Sequence, residues 1–325
     1  MRIMRLLALS VLCFAPVLGV GVSQGTLSIA TGGTGGVYYP YGGGLAELID
    51  SYIEGYSAIV EVTGASVENV ALVAAGESDL ALALADTVYQ AYTGTGTEAL
   101  EGRTLDTLRS LAAIYPNAIQ IVTVEGSGIT SLADLRGKRV SVGAPASGTE
   151  VSARTLLEAN GISYDDFRPE RLNFNETANA LRDGQIDAGF WSVGPPTSSI
   201  LDLASTRNIV LIPLSEEEIA AAIAAEPTFA PYTLREGLYP GVTSGVPTIS
   251  TPNVLIADAS MDEGLAYEIV KTMYEHVDEL IAIHPAANDT TVEFSLTSSP
   301  IPFHPGALRY YEEIGAEVPQ RLLGD

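Results

Sequence analysis

The stretch LSIATGGTGGVYYPYGGG, residues 27–44, decides the reading: an alternating apolar run ends in glycines, and the chain restarts as the amphipathic segment Leu45 to Ile53. A strand, a glycine-rich turn and a helix are expected in that order. Such a turn leaves the first N–H groups of the helix unpaired, and with few bulky side chains in the way a carboxylate or phosphate reaches them. Two specific phosphate motifs are excluded. The loop has no GK[ST] ending, and Gly33 to Tyr38 lacks the third glycine of GxGxxG. What remains is Thr34, backbone N–H groups, Tyr38 and Tyr39. A small-ligand pocket and a tight turn with packed tyrosines are both compatible with that set.

A second stretch repeats the first. KRVSVGAPASGTEVSARTLLEAN, residues 138–160, is again a short strand, a small-residue loop and a helix, with Val151, Ala153, Leu156 and Leu157 near a period of 3.6. Thr34 and Ser147 are 113 positions apart (147 − 34). Each unit is followed by a helix ending in Gly-x-x-Asp and a buried strand: Val67 to Ala75, then Gly76, Asp79 and LALALA; Glu176 to Arg182, then Gly184, Asp187 and AGFW. These aspartates are 108 apart (187 − 79). The matched order predicts an α/β fold of two similar lobes, with mainly parallel sheets covered by helices on both faces.

Ala58 to Val62 reads as one more strand of the first lobe. Ile119 to Val124, after Pro116, carries the chain across to the second lobe, and Pro247 to Asp258 carries it back. A long helix, Asp262 to Ile283, then rejoins the first lobe with the tail. The expected division is 1–25 as a leader, 26–117 and 256–325 as the first lobe, and 118–255 as the second. Two crossings suit a hinge, because paired strands bend together. Ser215 to Ala225 carries a capping serine and three early glutamates, a well-signalled helix start. Pro227 to Gly245 reads as an ordered loop, with part of a ligand rim as the second reading.

Arg2 and Arg5 precede the apolar run Leu6 to Val20, and small and polar residues follow. That layout is a secretory signal, too short for the roughly 20 apolar residues of a bilayer span. Cleavage is expected within Gly21 to Gly25, without a clean A-x-A site. The only cysteine, Cys13, would leave with the leader, so the mature chain would hold no disulfide or thiolate metal site. A mature product outside the cytoplasm and not inserted in the membrane follows. Net charge is −24, and losing Arg2 and Arg5 makes it −26. Such a chain repels nucleic acid and anionic membranes; saline surroundings would suit it.

In parallel α/β sheets ligands sit at the carboxyl ends of the strands. Four segments fall there: Thr34 to Tyr39, Gly64 to Asn69, Asp86 with Thr87, and Ala146 to Glu150. Their hydroxyls, amides and helix-start N–H groups can hold a carboxylate without arginine. Asp86 is either a helix cap or an acceptor for a ligand ammonium. Glu68 and Glu150 lie in first turns, where a macrodipole role is favoured. Trp191, before the Gly194-Pro195-Pro196 break, reads as a pocket wall. Catalysis finds little support. The histidines His276, His284 and His304 form no HExxH or similar set, the latter two precede proline as turn residues do, and no GxSxG occurs. No enzyme activity, cofactor or metal is expected.

TGGTGGVYYPYGGGLAELI, GASVENVALVAAGESDLALALAD, GITSLADLRGKRVSVGAPASGTEVSARTLLEANGI, ALRDGQIDAGFWSVGPP and IPFHPGALRYYEEIG resemble successive signatures of the TAXI family, solute-binding proteins of one class of TRAP transporter. The resemblance spans nearly the whole mature chain. It implies a two-lobed periplasmic-binding-protein-like fold of type II, hinged by crossing strands, that delivers ligand to a TRAP membrane permease. The implied ligands are glutamate, glutamine and related dicarboxylates or oxo acids. The implied pocket is Thr34, Gly36 and Tyr38, then Ser66 and Asn69, Asp86, Ser147, Gly148 and Thr149, and a wall of Trp191, Gly194 and Pro195. Two loops depart from the family. Gly-Ala-Ser stands at 64–66 where Gly-Gly-Ser is common, and Ala-Ser-Gly-Thr stands at 146–149 where Gly-Ser-Gly-Thr is common, so backbone torsion or close approach there is expected to differ. A binding module for a membrane sensor, and an enzyme on a similar fold, are the other readings.

Overall fold

The computed structural model describes residues 25–95 and 102–324. The leader, Cys13 included, lies outside the described residues apart from Gly25. Strand β1 (Gly25–Ala30) runs parallel to β2 (Tyr56–Glu61) on one side and β3 (Leu80–Leu84) on the other. Helix α1 (Tyr38–Tyr52) links β1 to β2, α2 (Ser66–Ala75) links β2 to β3, and α3 (Ala85–Thr93) follows β3 directly. Farther on come β5 (Arg139–Ser141), α4 (Gly148–Ala159), β6 (Arg168–Glu170), α5 (Phe174–Arg182), β7 (Ala188–Val193), α6 (Ser198–Ala204) and β8 (Ile209–Leu211). There β5 lies parallel to both β6 and β7.

The two parallel triplets are joined by β4 (Leu108–Val124) and β10 (Val246–Asp258), in the order β2-β1-β3-β10-β4-β7-β5-β6. At about 3.3 Å per residue, the 17 residues of β4 reach across both halves. The crossing strand therefore starts eleven positions before Ile119 (119 − 108) and runs straight through Pro116. It can do so because Pro116 lies opposite Pro252 of β10, so neither lost N–H removes a bond the ladder needs; a bulge follows between Pro252 and Val254.

Three further elements differ from expectation. Helix α1 begins at Tyr38, and Gly42 to Gly44 are helical rather than part of the turn. Their missing side chains let the helix settle closely: a Cβ at Gly42 would lie 2.5 Å from Thr31 Cγ2, and one at Gly44 would strike Ile283. The expected long C-terminal helix is two, α8 (Glu263–Glu275) and α9 (Val277–Ile283), broken at His276. Within 227–245 lies a strand, β9 (Ala230–Leu234), antiparallel to β10. Its neighbour α7 (Glu216–Ala225) has the expected cap, Ser215 accepting from the Glu218 N–H.

The repeat has a structural counterpart. Asp79 accepts the backbone N–H of Ser28 on β1 at 2.8 Å, and Asp187 accepts that of Arg139 on β5 at 2.8 Å. Each aspartate pins the strand that leads to its loop. The largest apolar cluster runs through both halves, from Ile29 and Leu48 to Trp191 and Leu203, and smaller ones lie around Ile121, Val140, Leu156 and Phe190 in one half and around Val70, Ala83, Val88 and Val254 in the other. Val151 of α4 belongs to the latter, so α4 is driven into the α2–α3 side of the molecule.

Candidate functional site

Three helices begin at one cavity. Gly36, Val37 and Tyr38 at the start of α1, Ala65 and Ser66 at the start of α2, and Gly148 and Thr149 at the start of α4 all line it. The first N–H groups of a helix have no partner within it, and their dipoles sum to a partial positive charge there. One is spent between the halves: the Glu68 N–H donates to the Ala146 carbonyl at 3.2 Å. Gly148 must be glycine, since a Cβ would lie 2.6 Å from Ser66 Oγ and 2.7 Å from Leu84 Cδ1.

The remaining lining comes from Leu84 on β3, Asn117 on β4, Ser192 and Val193 on β7, and Phe174 on α5. Ser192 is buried and its Oγ has no hydrogen-bond partner. Beneath the cavity a chain of buried amides joins the halves. Tyr38 donates its hydroxyl to Asn253 Oδ1 at 2.6 Å, Asn253 Nδ2 donates to Asn117 Oδ1 at 2.7 Å, and Asn117 Nδ2 donates to the Ser192 carbonyl at 3.0 Å. Burial holds the Tyr38 phenol well above its ordinary pKa, so it stays a neutral donor.

The inner cavity measures about 40 Å³. An adjoining one of about 50 Å³ is bordered by Thr63, Gly64, Ala144, Ser147 and Asn173, and shares Gly33, Ala65, Thr149 and Phe174 with it. The residue that stands between them was not legible beforehand. Phe174 opens α5 within LNFNET, where nothing in the pattern marks it, and its ring lies where a Cβ at Gly36 would come within 3.1 Å of it. Asn117 was more legible, as one of two amides, with Gln120, inside the apolar run IYPNAIQIV.

Of the expected pocket residues, Gly36, Tyr38, Ser66, Gly148 and Thr149 line the inner cavity and Ser147 the outer one. The others lie elsewhere, each for a physical reason. Thr34 is exposed and meets only Asn175 Nδ2, at 3.4 Å. Asn69 is buried and consumed in bonding the Thr31 and Leu82 carbonyls at 2.6 and 2.7 Å and accepting Thr63 Oγ1 at 2.6 Å. Trp191 is fully buried, donates to Ser199 Oγ at 3.1 Å, and stacks behind Phe174 with ring centroids 6.1 Å apart. The ring that faces the cavity is Phe174. Gly194 closes on Tyr115 and Ala286, and Pro195 borders a separate hollow with Arg235 and Asp289.

Asp86 is neither cap nor lining residue. It lies fully buried in the first turn of α3, accepting the Thr87 N–H at 2.6 Å and, from α4, Ser152 Oγ at 2.5 Å. Burial, with the nearby Glu226 carboxylate adding to it, raises its pKa to about 7. Glu68 accepts the Gly64 N–H at 2.6 Å and Glu150 pairs with Arg171 Nε at 2.7 Å, so both are engaged outside the cavity. His284 and His304 each accept a backbone N–H two residues on, as turn residues do.

Ala65 and Ala146, the two alanines that stand where glycine is common, have φ of 82° and 58°, the only positive values at non-glycine positions among the described residues. The loops keep a glycine-like path without glycine, and the Glu68–Ala146 bond ties them to each other.

The sequence profile of the NMT1-like family matches residues 29–315, and the chain belongs to that family. Among solved structures it is similar to PhnD1 from Prochlorococcus marinus in complex with methylphosphonate (TM-score 0.54, 11% identity, 90% of this chain and 99% of that one). It is also similar to a protein from Bordetella bronchiseptica (TM-score 0.51, 18% identity, 92% and 91%) and to one from Listeria monocytogenes described as an L-cystine ABC transporter (TM-score 0.50, 14% identity, 83% and 98%). The fold is α/β and similar to type II periplasmic binding proteins. Among the described residues no helix is long and apolar enough to cross a membrane, and no group of three or more His, Cys, Asp or Glu side chains could hold a metal.

Proposed function

We propose that this member of the NMT1-like family is an extracytoplasmic solute-binding protein that captures a small carboxylate between two lobes and hands it, unaltered, to a membrane permease. The observation that carries this is the convergence of the starts of α1, α2 and α4 on one cavity lined by no charged side chain, with the unpartnered Ser192 hydroxyl among its walls. Fixed N–H donors suit an anion, each favouring it by about 0.3 to 2 kcal/mol. The named partners of the similar solved structures, a phosphonate and an amino-acid transporter, support a small solute. The motifs at 31–49, 64–86 and 128–162 support a TRAP system of the TAXI kind, with a small organic acid as ligand.

In this reading 26–117 and 256–325 form one lobe and 118–255 the other, with the boundaries inside the crossing strands β4 and β10. Ligand stabilises the closed form because only there does it meet α1 and α2 on one side and α4 and β7 on the other. A micromolar Kd, about −8 kcal/mol, would be sufficient for uptake.

The test has two parts. Thermal shift and calorimetry with a panel of small carboxylates should yield at least one that raises Tm and binds with a Kd of about micromolar; a panel with no binder refutes the capture reading. Vesicles carrying the TRAP permease encoded nearest the gene should then take up that acid only when the protein is added. Uptake independent of it would refute the transporter assignment.

A further inference from the structure

The lining defines the ligand more closely, on the reading above that the cleft holds a carboxylate. An amino acid would bring an ammonium group and a dicarboxylate a second anion. Neither chamber has a charged side chain to receive either. The nearby acids are committed: Asp86 to Thr87 and Ser152, Glu68 to the Gly64 N–H, and Glu150 to Arg171. Burying an unpaired ion is strongly unfavourable, so the charge of the ligand should be confined to the end that meets the helix starts.

Facing those starts the wall is apolar, with Leu84, Phe174 and Val193. Ser192, 5% exposed, also lines the cavity, and its buried Oγ has no hydrogen-bond partner. A ligand oxygen beside the carboxylate would give that hydroxyl the acceptor it lacks. The inner cavity, at about 40 Å³, has room for about three water molecules. Gly33, Ala65, Thr149 and Phe174 border both cavities, and Phe174 is the one large side chain among them.

We propose that the ligand is a short 2-oxo or 2-hydroxy monocarboxylate of about three carbons, and that Phe174 sets its length by closing the inner chamber against the outer one. The carboxylate lies on the N–H groups of α1, α2 and α4, the C2 oxygen on Ser192, and the short carbon chain against Phe174 and Val193. A longer acid needs the Phe174 ring to leave its stack on Trp191.

The test is calorimetry on the mature chain with pyruvate, lactate, propionate, 2-oxoglutarate and glutamate, repeated on Phe174→Ala and Phe174→Leu. Pyruvate or lactate should bind at least tenfold more tightly than 2-oxoglutarate or glutamate, and more tightly than propionate, which lacks the C2 oxygen. Phe174→Ala should raise 2-oxoglutarate affinity at least tenfold and weaken pyruvate, with Phe174→Leu between. Unfolding of the unliganded variants checks that the Trp191 stack tolerates the change, and Phe174→Leu, which keeps an apolar wall, reports the same trend if Phe174→Ala does not fold. Preference of the wild type for glutamate or 2-oxoglutarate would overturn this assignment while leaving a carboxylate-binding cleft in place. No binding by any acid in the panel would remove the cleft reading and this one with it.

Discussion

Replacing Asp86 by Asn tests whether a buried acid, rather than a ligand contact, sits at the junction of α3 and α4. Asp86 is fully buried, with hydroxyls and a backbone N–H around it, and its pKa is raised from 3.8 to about 7, chiefly by burial. The sign follows from linkage. Below about pH 4 both folded and unfolded chains carry the protonated acid and folding loses nothing. Between about pH 4 and 7 the unfolded chain ionises first, so stability falls by about 1.4 kcal/mol per pH unit to a plateau of at most about 4 kcal/mol. Asn has no such penalty, its Oδ1 can still accept the Thr87 N–H, and its Nδ2 can donate to Ser152. Urea unfolding of both chains from pH 4.5 to 8 should give a difference in stability that grows in favour of Asp86→Asn as pH rises, flattening above about 7. Taking the difference cancels the many surface carboxylates common to both. A difference constant with pH would refute the reasoning, because Asp86 would then ionise alike in both states.

Other outcomes follow from the loops. Ala65→Gly and Ala146→Gly each relieve a positive φ, which costs about 1 to 3 kcal/mol at an alanine, against roughly 0.5 to 1 kcal/mol of extra chain entropy for glycine. Urea midpoints should therefore rise; a fall at both positions would mean the neighbouring loop, not the torsion, sets the energy. Gly148→Ala places a methyl against Ser66 and Leu84 and should cut affinity for the bound acid at least tenfold with little change in far-UV circular dichroism. Wild-type affinity in that variant would show that α4 need not approach α2 for binding. Ser192→Ala should leave unliganded stability unchanged or raise it by about 1 kcal/mol, since it removes an orphaned buried hydroxyl, yet weaken a ligand that bonds there. Equal loss of stability and affinity would mark Ser192 as packing.

The frame was legible because it rests on local pattern. The strand, loop and helix of 27–53 recur at 138–160, and the Gly-x-x-Asp echoes mark aspartates that do the same work, Asp79 on Ser28 and Asp187 on Arg139. The two departures from glycine at 65 and 146 were expected to alter torsion or close approach, yet both alanines keep a positive φ, the path glycine would take. What local pattern could not reach were contacts between distant segments. Whether Asp86 faces a ligand or Ser152 depends on where α4 lands, 66 positions on (152 − 86). Trp191 is fully buried and bonded to Ser199, and the ring that lines the cavity is Phe174, which stacks on it. Pro116 looked like a boundary only because Pro252, its partner across the sheet, was out of view.

An anion site without cations, as proposed, would have a consequence in a chain of net charge −24. At a distance the protein repels an anionic ligand, whereas the helix-start N–H groups attract it only within a few ångströms. Added salt shortens the Debye length from about 10 Å at 0.1 M to about 3 Å at 1 M, which removes the long-range repulsion first. The N–H donors are buried and act at hydrogen-bond distance, so salt weakens them little. An arginine in the same place would gain affinity from its charge but would have to shed its own water shell on every closure. With donors built into the backbone, the site keeps its hold on the ligand while the acidic exterior is screened, so association should become faster, and binding no weaker, as ionic strength rises.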